Sequence, residues 1–347
     1  MSNASLEESQ QLEGLKGHRL GPYLSHNPVS ATQIWQWCSA MGDQNPSYHV
    51  GDKQIAPPAM MQMWTMRDIN DRYAPGSTEA LPYQVFEDMR ALGYPANVAV
   101  SYDISFHHYL RVGERAQHFT TVVNISDKKT TRLGTGYFVT ERVEYLTTDN
   151  LLFAEALITY YQYQPATGEQ PDSPANVTSA QQASGSAQAN TGDASQGQGW
   201  RTDFSDIDPA NLSIGDPLPE LRVPITHRLI VGGAIATQDF IPVHHNLPAA
   251  QAAGMPDIFM NILTTSGLTA RYLSDWAGAG SRLRQLKFNL MAPNFPGDVM
   301  VMEGQLVDIE AGPNEASVKV AFGGRNRQGY HTSGTATLVL PNTKTTL

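Results

Sequence analysis

Residues 237–278 read TQDFIPVHHNLPAAQAAGMPDIFMNILTTSGLTARYLSDWAG, a short loop followed by a helical pattern. A proline is favourable at the first position of a helix, and a glycine often follows the last one. Pro256 and Gly278 suit these two positions, so we predict one long helix between them. Its apolar residues have the spacing of a buried helix face: Ile258, Phe259, Ile262, Leu263, Leu273 and Trp276.

The sequence after this helix alternates between apolar and polar residues. The runs VMVMEGQLVDI (299–309) and ASVKVAF (316–322) show the period of two that is typical of half-buried strands. A long helix followed by several antiparallel strands makes an α+β unit.

The first half of the chain repeats this layout. Its loop GDQNPSY (42–48) resembles QDFIPVH (238–244), and Pro57-Pro58 can start a helix after it. Both halves end in strand-like runs, LLFAEALITYYQYQP and YHTSGTATLVLP. This internal repeat predicts an α+β fold of two units, each a long helix wrapped by an antiparallel sheet.

A polar segment separates the two units. Residues 166–199 contain almost no large apolar side chain and are rich in Ala, Ser, Gln and Gly, so we expect a flexible tether. The predicted organisation is a tail over 1–25, a first unit over 26–165, the tether, and a second unit over 200–347.

The overall composition excludes several classes of protein. A net charge of −10 argues against general binding to nucleic acid or anionic membranes. No apolar run reaches the roughly 18 residues of a membrane span. The single cysteine, Cys38, cannot form a disulfide within the chain, and no motif for a metal or nucleotide cofactor is present. We expect a cytoplasmic protein without a cofactor.

The loop before the long helix carries the candidate chemistry, Asp239-x4-His244. Hydration of a double bond conjugated to a thioester needs a group that deprotonates water, a proton for the α carbon and a donor to the thioester oxygen. A carboxylate and an imidazole that share a water can supply the first two. The alternative is a carboxylate that caps a turn beside an exposed histidine, and His245 is a second candidate for the imidazole.

Several separated motifs carry a resemblance to a known family. The segments ATQDFIPVHH, DIFMNILTTSGL and RYLSDWAG resemble the hot-dog domain of MaoC-like, R-specific enoyl-CoA hydratases. More narrowly, they are similar to the two-subunit steroid side-chain hydratases of cholesterol-degrading bacteria. The resemblance implies Asp239 and His244 as the catalytic dyad. It also implies an oxyanion-binding backbone amide at Asn261 or Ile262, where the family has a glycine and this sequence does not.

The first half resembles the MaoC-like N-terminal domain of the other subunit through AMGDQNPSYHV, IAPPAMMQMWTM and FHHYLRVGE. Tyr48 stands five residues after Asp43, where the dyad would need a histidine. The resemblance therefore implies a degenerate half that holds substrate, paired with the catalytic half as a pseudo-dimer. His49 is an alternative imidazole.

The resemblance also bears on partners. In the resembled enzymes the two domains lie on separate chains, and the first is followed by a zinc-ribbon and OB-fold module that recruits an aldolase. One cysteine cannot build that ribbon. We therefore expect an acyl-CoA substrate, a homodimer of double hot-dog chains, and any thiolase-like aldolase to bring its own such module.

Two further sets of residues are weaker candidates. Basic residues that could hold the coenzyme A phosphates, or merely form a solvated edge, are Arg282, Arg284, Lys287, Arg325 and Arg327. Residues that could line an acyl pocket, or merely belong to the core, are Met60, Met61, Met63, Thr265 and Gly267.

The predicted function is hydration of an α,β-unsaturated acyl-CoA to its 3-hydroxyacyl-CoA. The predicted substrate is a steroid enoyl-CoA with a short side chain. The alternatives are a general hydratase of linear acyl chains, a thioesterase and a non-catalytic acyl-CoA-binding scaffold.

Overall fold

The computed structural model describes residue 8, residues 10–165 and residues 203–342, except 50, 52, 53 and 132. The predicted tether lies outside the described residues. In the first half, the elements are β1 (Arg19–Leu24), α1 (Ala31–Met41), α2 (Gln84–Ala91), β2 (Ala96–Phe106), β3 (Ala116–Ile125), β4 (Lys129–Thr131), β5 (Gly134–Thr147) and β6 (Leu152–Pro165). In the second half, they are β7 (Pro217–Pro224), α3 (His227–Ala236), α4 (Leu247–Ala252), α5 (Ile262–Ala277), β8 (Arg282–Leu290), β9 (Val299–Ala311), β10 (Glu315–Asn326) and β11 (Gly329–Pro341).

All the strands belong to one 11-stranded antiparallel sheet in which the two halves have the same strand order. The path is β1-β3-β5-β6-β2-β8-β11-β10-β9-β7, with β4 paired to β5. Each half therefore contributes five strands to this path, the first half adds β4, and the inner edge strands β2 and β8 join the two. At this junction Asp103 lies opposite Lys287, and the two side chains form an ion pair of 3.0 Å. The internal repeat and the α+β class are confirmed.

One hydrophobic core runs through both halves. The strands contribute to it through alternate residues, as the pattern predicted. In β10, for example, Val318, Val320 and Phe322 are buried. No helix of the described residues is long and apolar enough to cross a membrane.

Helix α5 is the long helix of the second half, and it begins six residues later than predicted. Pro256 does not start it, because the segment to Met260 stays irregular and the Met260 amide donates to Asn294 O. Asn261 is the N-cap, with its side chain accepting from the Thr264 amide. At the other end Gly278 takes a positive φ of 99° and terminates the helix, as predicted.

The first half lacks the long helix that the sequence predicted after Pro57-Pro58. Two short 3₁₀ turns, Pro58–Met60 and Met63–Thr65, occupy its place, and neither has a side-chain cap. An irregular segment over 66–83 follows, and only then α2. Pro75 and Pro82 prevent a continuous helix here, since proline cannot donate the backbone hydrogen bond and clashes with the preceding turn.

The N-terminal tail predicted over 1–25 includes a strand of the sheet. Residues Arg19–Leu24 form β1, the outer edge strand paired with β3. The first unit therefore begins before residue 26.

Candidate active site

Asp239 and His244 face each other in the second half, on the loop that follows α3. Gln238 has a positive φ of 56°, which turns the chain out of the helix, and the Asp239 amide donates to Ala234 O. A 3₁₀ turn over Pro242–His244 then brings the histidine back. Both side chains are buried, with 6% and 7% exposure, and His244 Nε2 lies 3.7 Å from Asp239 Oδ2.

The orientation of His244 is fixed by its other ring nitrogen. Nδ1 donates a hydrogen bond of 2.7 Å to Phe259 O. When Nδ1 carries the only ring proton, Nε2 presents a lone pair toward Asp239. The distance of 3.7 Å is too long for a direct hydrogen bond, but one water or hydroxyl between the two atoms could bond to both. Two proton acceptors around one oxygen are the arrangement that general acid–base hydration needs.

The sequence prediction missed the side-chain contacts that Asn261 makes with Asp239 and Thr237. Its Nδ2 donates to Asp239 Oδ2 and to Thr237 Oγ1, both at 2.9 Å, while its Oδ1 caps α5. One buried amide therefore holds the carboxylate and the start of the helix in fixed relation. An N-cap residue type before a helix was the available signal, but sequence alone does not show the contact with Asp239.

The N-terminus of α5 lies beside this pair. Thr264 N bonds to Asn261 Oδ1 and Thr265 N to Asn261 O, so the Ile262 and Leu263 amides precede the first helical hydrogen bond. Such amides can donate to an anionic oxygen. Ile262, one of the two predicted oxyanion donors, is thus at the first helical position, and its role stays a prediction.

The two other histidines considered for the dyad have backbone oxygens as their hydrogen-bond partners. His245 is exposed, and its Nε2 lies 3.1 Å from Phe240 O. His49 is exposed as well, and its Nε2 approaches the backbone oxygen of Asp43 at 3.4 Å.

The first-half loop keeps a buried carboxylate without the imidazole. Asp43 Oδ1 accepts from the Asn45 amide, and burial raises the pKa of the Asp43 carboxyl. Tyr48 is buried at the position equivalent to His244, and burial raises the pKa of its hydroxyl well above 10.

Two of the basic candidates lie at the opposite end of α5 from the dyad, and the other three form ion pairs. Arg282 and Arg284 follow the C-terminal end of α5, whereas the dyad lies at its N-terminal end. Lys287, Arg325 and Arg327 form ion pairs with Asp103, Glu303 and Asp298. Their role in binding coenzyme A stays a prediction.

The predicted acyl-pocket residues lie in the core of the protein. Met60, Met61 and Met63 are at most 3% exposed and belong to the main hydrophobic cluster. Thr265 Oγ1 lies 2.8 Å from His331 Nε2, and Gly267 packs against Trp37 and Met41. Across the described residues, no group of three His, Cys, Asp or Glu side chains converges as a metal site.

Comparison with known proteins agrees with this geometry. The family model described as a MaoC-like domain matches residues 211–324, which include the dyad and α5. The 3-oxo-4,17-pregnadiene-20-carboxyl-CoA hydratase beta subunit of Mycobacterium tuberculosis is 37% identical over 125 residues, which are 36% of this chain and 94% of that subunit. The chain belongs to the MaoC-like hydratase family.

A second relative of this MaoC-like hydratase is also a subunit of the mycobacterial enzyme. The alpha subunit of the same mycobacterial hydratase is 30% identical over 132 residues, or 35% of this chain and 41% of that subunit. The chain thus spans less than half of that relative's length. A Mycobacterium tuberculosis protein described as having a double hot-dog fold has a TM-score of 0.54 at 13% identity, covering 94% of this chain and 98% of its own, which supports the fold alone.

Proposed function

We propose that this MaoC-like hydratase adds water to the α,β double bond of a steroid enoyl-CoA with a short unsaturated side chain, forming the 3-hydroxyacyl-CoA. The observation that carries the hydration chemistry is the buried pair of Asp239 and His244, oriented by Asn261 and Phe259 at the start of α5. The enzyme class follows from the family, and the steroid is the finer step.

The geometry supports a simple sequence of events. A water bonded to both Asp239 and His244 loses a proton to one of them as its oxygen bonds to the β carbon. A proton from the same pair is delivered to the α carbon, so that one water is consumed. Negative charge that develops on the thioester oxygen would be stabilised by an amide at the N-terminus of α5. Which of the two side chains deprotonates the water is left open.

The shape of the first half supports a bulky acyl group. Where the second half has α5, the first half has two 3₁₀ turns and an irregular segment that cover its sheet. Displacing such a segment requires less free energy than displacing a packed helix. The substrate in the name of the 37% identical relative is a rigid ring system. Ring binding on the first half, beside the dyad of the second, would make both halves necessary.

A comparison of three substrates tests the proposal. The full chain is assayed with a steroid enoyl-CoA, a medium-chain linear enoyl-CoA and crotonyl-CoA, following loss of the enoyl thioester absorbance. Apolar burial contributes about 25 cal/mol per Å², so about 60 Å² of extra buried surface corresponds to about tenfold in kcat/KM. We expect the steroid to exceed both linear substrates by at least about that factor.

The other outcomes identify the alternatives. Equal or faster turnover of linear substrates would contradict the steroid proposal and leave a general hydratase. Release of free coenzyme A, followed with a thiol reagent in parallel, would indicate a thioesterase. Binding without either reaction would indicate a scaffold.

The product also defines a chemical class of partner. Hydration of a side chain whose double bond ends on the ring gives a tertiary β-hydroxyacyl-CoA, which can be cleaved between the α and β carbons in a retro-aldol reaction. We propose that a separate aldolase consumes it. The partner domain known for the resembled enzymes would have to come from another chain. A homodimer of this chain is proposed on the resemblance.

A further inference from the structure

Three polar side chains stand on the inner face of the first-half sheet, where apolar residues would be expected. Glu141 on β5 is 2% exposed, and His118 and Thr120 on β3 are 9% and 4% exposed. The registers place Glu141 opposite Val122, Thr120 opposite Val143 and His118 opposite Tyr145, so all three share one face of two neighbouring strands.

Each of these side chains has a polar atom without a partner. Within the residues that the structure describes, Glu141 Oε1, His118 Nδ1 and Thr120 Oγ1 are buried and make no hydrogen bond. A buried polar atom left unpaired costs about 1–3 kcal/mol. Three such atoms on one face are rare in a structural core and typical of a site that binds a ligand.

Burial favours the uncharged forms of the two titratable groups in the cluster. Burial raises the pKa of the Glu141 carboxyl to about 8 and lowers the pKa of His118 to about 3. Glu141 is then a carboxylic acid that can donate a hydrogen bond, and His118 is a neutral imidazole. Uncharged donors and acceptors suit a ketone or hydroxyl oxygen better than a carboxylate or phosphate.

The three side chains of the cluster line a narrow cleft in the first half. Its walls combine this cluster with aromatic and apolar residues: Gln62, Thr65, Met66, Tyr73, Pro82, Tyr83, Val143, Tyr145, Ile158 and Tyr160. Its free volume of about 20 Å³ holds one water, so a larger ligand must displace part of the cover. Met66, Tyr73, Pro82 and Tyr83 belong to the segment 66–83, which contains neither helix nor strand.

The cleft also lies within electrostatic range of the dyad. Burial raises the pKa of Tyr83 to about 12 and raises that of Tyr160 well above 10, and in both cases the charges of Glu141 and Asp239 contribute. Two residues of the wall therefore lie near enough to feel both the polar cluster of the first half and the catalytic carboxylate of the second.

We propose that Glu141, His118 and Thr120 form the far end of the acyl pocket and bind an oxygen on the part of the acyl group most distant from the thioester. The inference rests on the proposed function, because it assumes an acyl group long enough to reach from the dyad to the first-half sheet. It adds a specificity: among ring-bearing substrates, those with a ketone or hydroxyl at the far end are preferred over those without.

Calorimetry with unreactive analogues tests this inference without requiring hydration. Two saturated ring-bearing acyl-CoA thioesters, identical except for a ketone at the far end of the ring system, are titrated into the full chain and into Glu141→Leu, Glu141→Gln and Glu144→Gln. Glu144 is the matched control because it lies on β5, faces away from the cleft and pairs with Arg19.

The measured quantity is the ratio of the two affinities. The wild type should bind the ketone at least about tenfold more tightly, since the analogue without it leaves buried polar groups unpaired. Glu141→Leu should reduce this ratio about tenfold, Glu141→Gln less because its amide still donates, and Glu144→Gln not at all. Circular dichroism and the melting temperature show that each variant is folded.

The results separate the two proposals. Equal affinities in the wild type, or a ratio that Glu141→Leu leaves unchanged, would overturn the inference even if the steroid enoyl-CoA is hydrated. A ratio that depends on Glu141 together with failure to hydrate any enoyl-CoA would support the binding site and contradict the proposed function.

Discussion

The inner faces of the two half-sheets differ in their buried polar residues, although their strands have the same order. In the second half the face under α5 is apolar, with Met300, Met302, Val318, Val320 and Leu338 all fully buried. In the first half, where no long helix covers the sheet, the corresponding strands present Glu141, His118 and Thr120. Loss of the helix is thus accompanied by a change from a sealed core to a face with unpaired polar atoms.

The loops around Asp43 and Asp239 have similar backbone conformations but different side chains beside the aspartate. A residue with positive φ precedes each aspartate, Gly42 at 65° and Gln238 at 56°, and a 3₁₀ turn follows each at the same spacing. Asp239 has an imidazole and the N-terminus of α5 beside it, whereas Asp43 has Tyr48 and no long helix from its own half. The helix therefore packs in the core of its half and also begins beside Asp239 and His244, whereas the half without it keeps the loop but lacks the imidazole.

The largest expected effect comes from removing the dyad. Asp239→Asn or His244→Ala should lower kcat by at least about 10²-fold, the usual size of one positioned acid–base group. The matched changes in the other loop, Asp43→Asn and Tyr48→Phe, should alter kcat by less than about threefold. Steady-state assays on the same enoyl-CoA compare the four variants.

An inverted pattern in this set would show that the first half is the active one. If the variants of both loops lost kcat to a similar extent, the two loops would contribute equally to catalysis.

A smaller loss is expected at Asn261, which positions Asp239. Asn261→Ser can still cap α5 but is too short to keep the contact with Asp239, so we expect kcat to fall about tenfold with little change in melting temperature. Asn261→Asp keeps the cap and places a second carboxylate beside the first. Since two neighbouring carboxylates oppose each other's ionisation, the acid limb of the pH profile of kcat/KM should move to higher pH.

A purely structural role for Asn261 would give the reverse result. Its variants would then lose stability in proportion to activity, and the pH profile would keep its shape.

Much of this architecture can be predicted from the sequence, because the helix caps and the apolar spacing agree with the tertiary fold. Ser30 caps α1 through the Gln33 amide, and Ile34, Trp37 and Met41 are buried on one face of that helix. The Asp-x4-His spacing put a carboxylate and an imidazole on one loop, and the resemblance to MaoC-like hydratases implied that they act as a pair. These features depend on residues close together in the chain.

The missed features depend on contacts across the chain. The Asn261 amide reaches Asp239 over 22 residues, which no local pattern encodes. The missing helix of the first half was obscured by Pro57-Pro58, which suits a helix start as well as a 3₁₀ turn. One signal was available: Glu141 stands between Val139 and Val143 on the apolar side of an alternating strand, which is unusual for a glutamate.

A third prediction concerns the packing of the two halves against each other. A Cβ on Gly267 of α5 would lie 2.9 Å from Trp37 Cζ2 and 3.0 Å from Met41 Sδ, both in α1 of the other half. Gly267→Ala should therefore destabilise the protein by about 1–2 kcal/mol through overpacking. Gly232→Ala in α3 meets nothing within 4 Å and should stabilise by up to about 1 kcal/mol through helix propensity.

Thermal and urea unfolding of the two alanine variants measure this difference. Equal stabilisation in both would show that α1 and α5 do not pack as closely as the structure has them.

The smallest expected effect is that of separating the two halves. Residues 101–105 of β2 pair with residues 285–289 of β8, and one hydrophobic core includes residues of both halves. Because these contacts do not involve residues 166–199, that segment should act only by raising the effective concentration of one half near the other. Co-expressed 1–165 and 200–347 should co-elute in size-exclusion chromatography and keep kcat/KM within about twofold of the intact chain. A chain in which the segment is replaced by a Gly/Ser sequence of equal length is the control. If the two separate chains assemble but are inactive, while the Gly/Ser control is active, the covalent link between the halves would help to align the first-half cleft with the dyad.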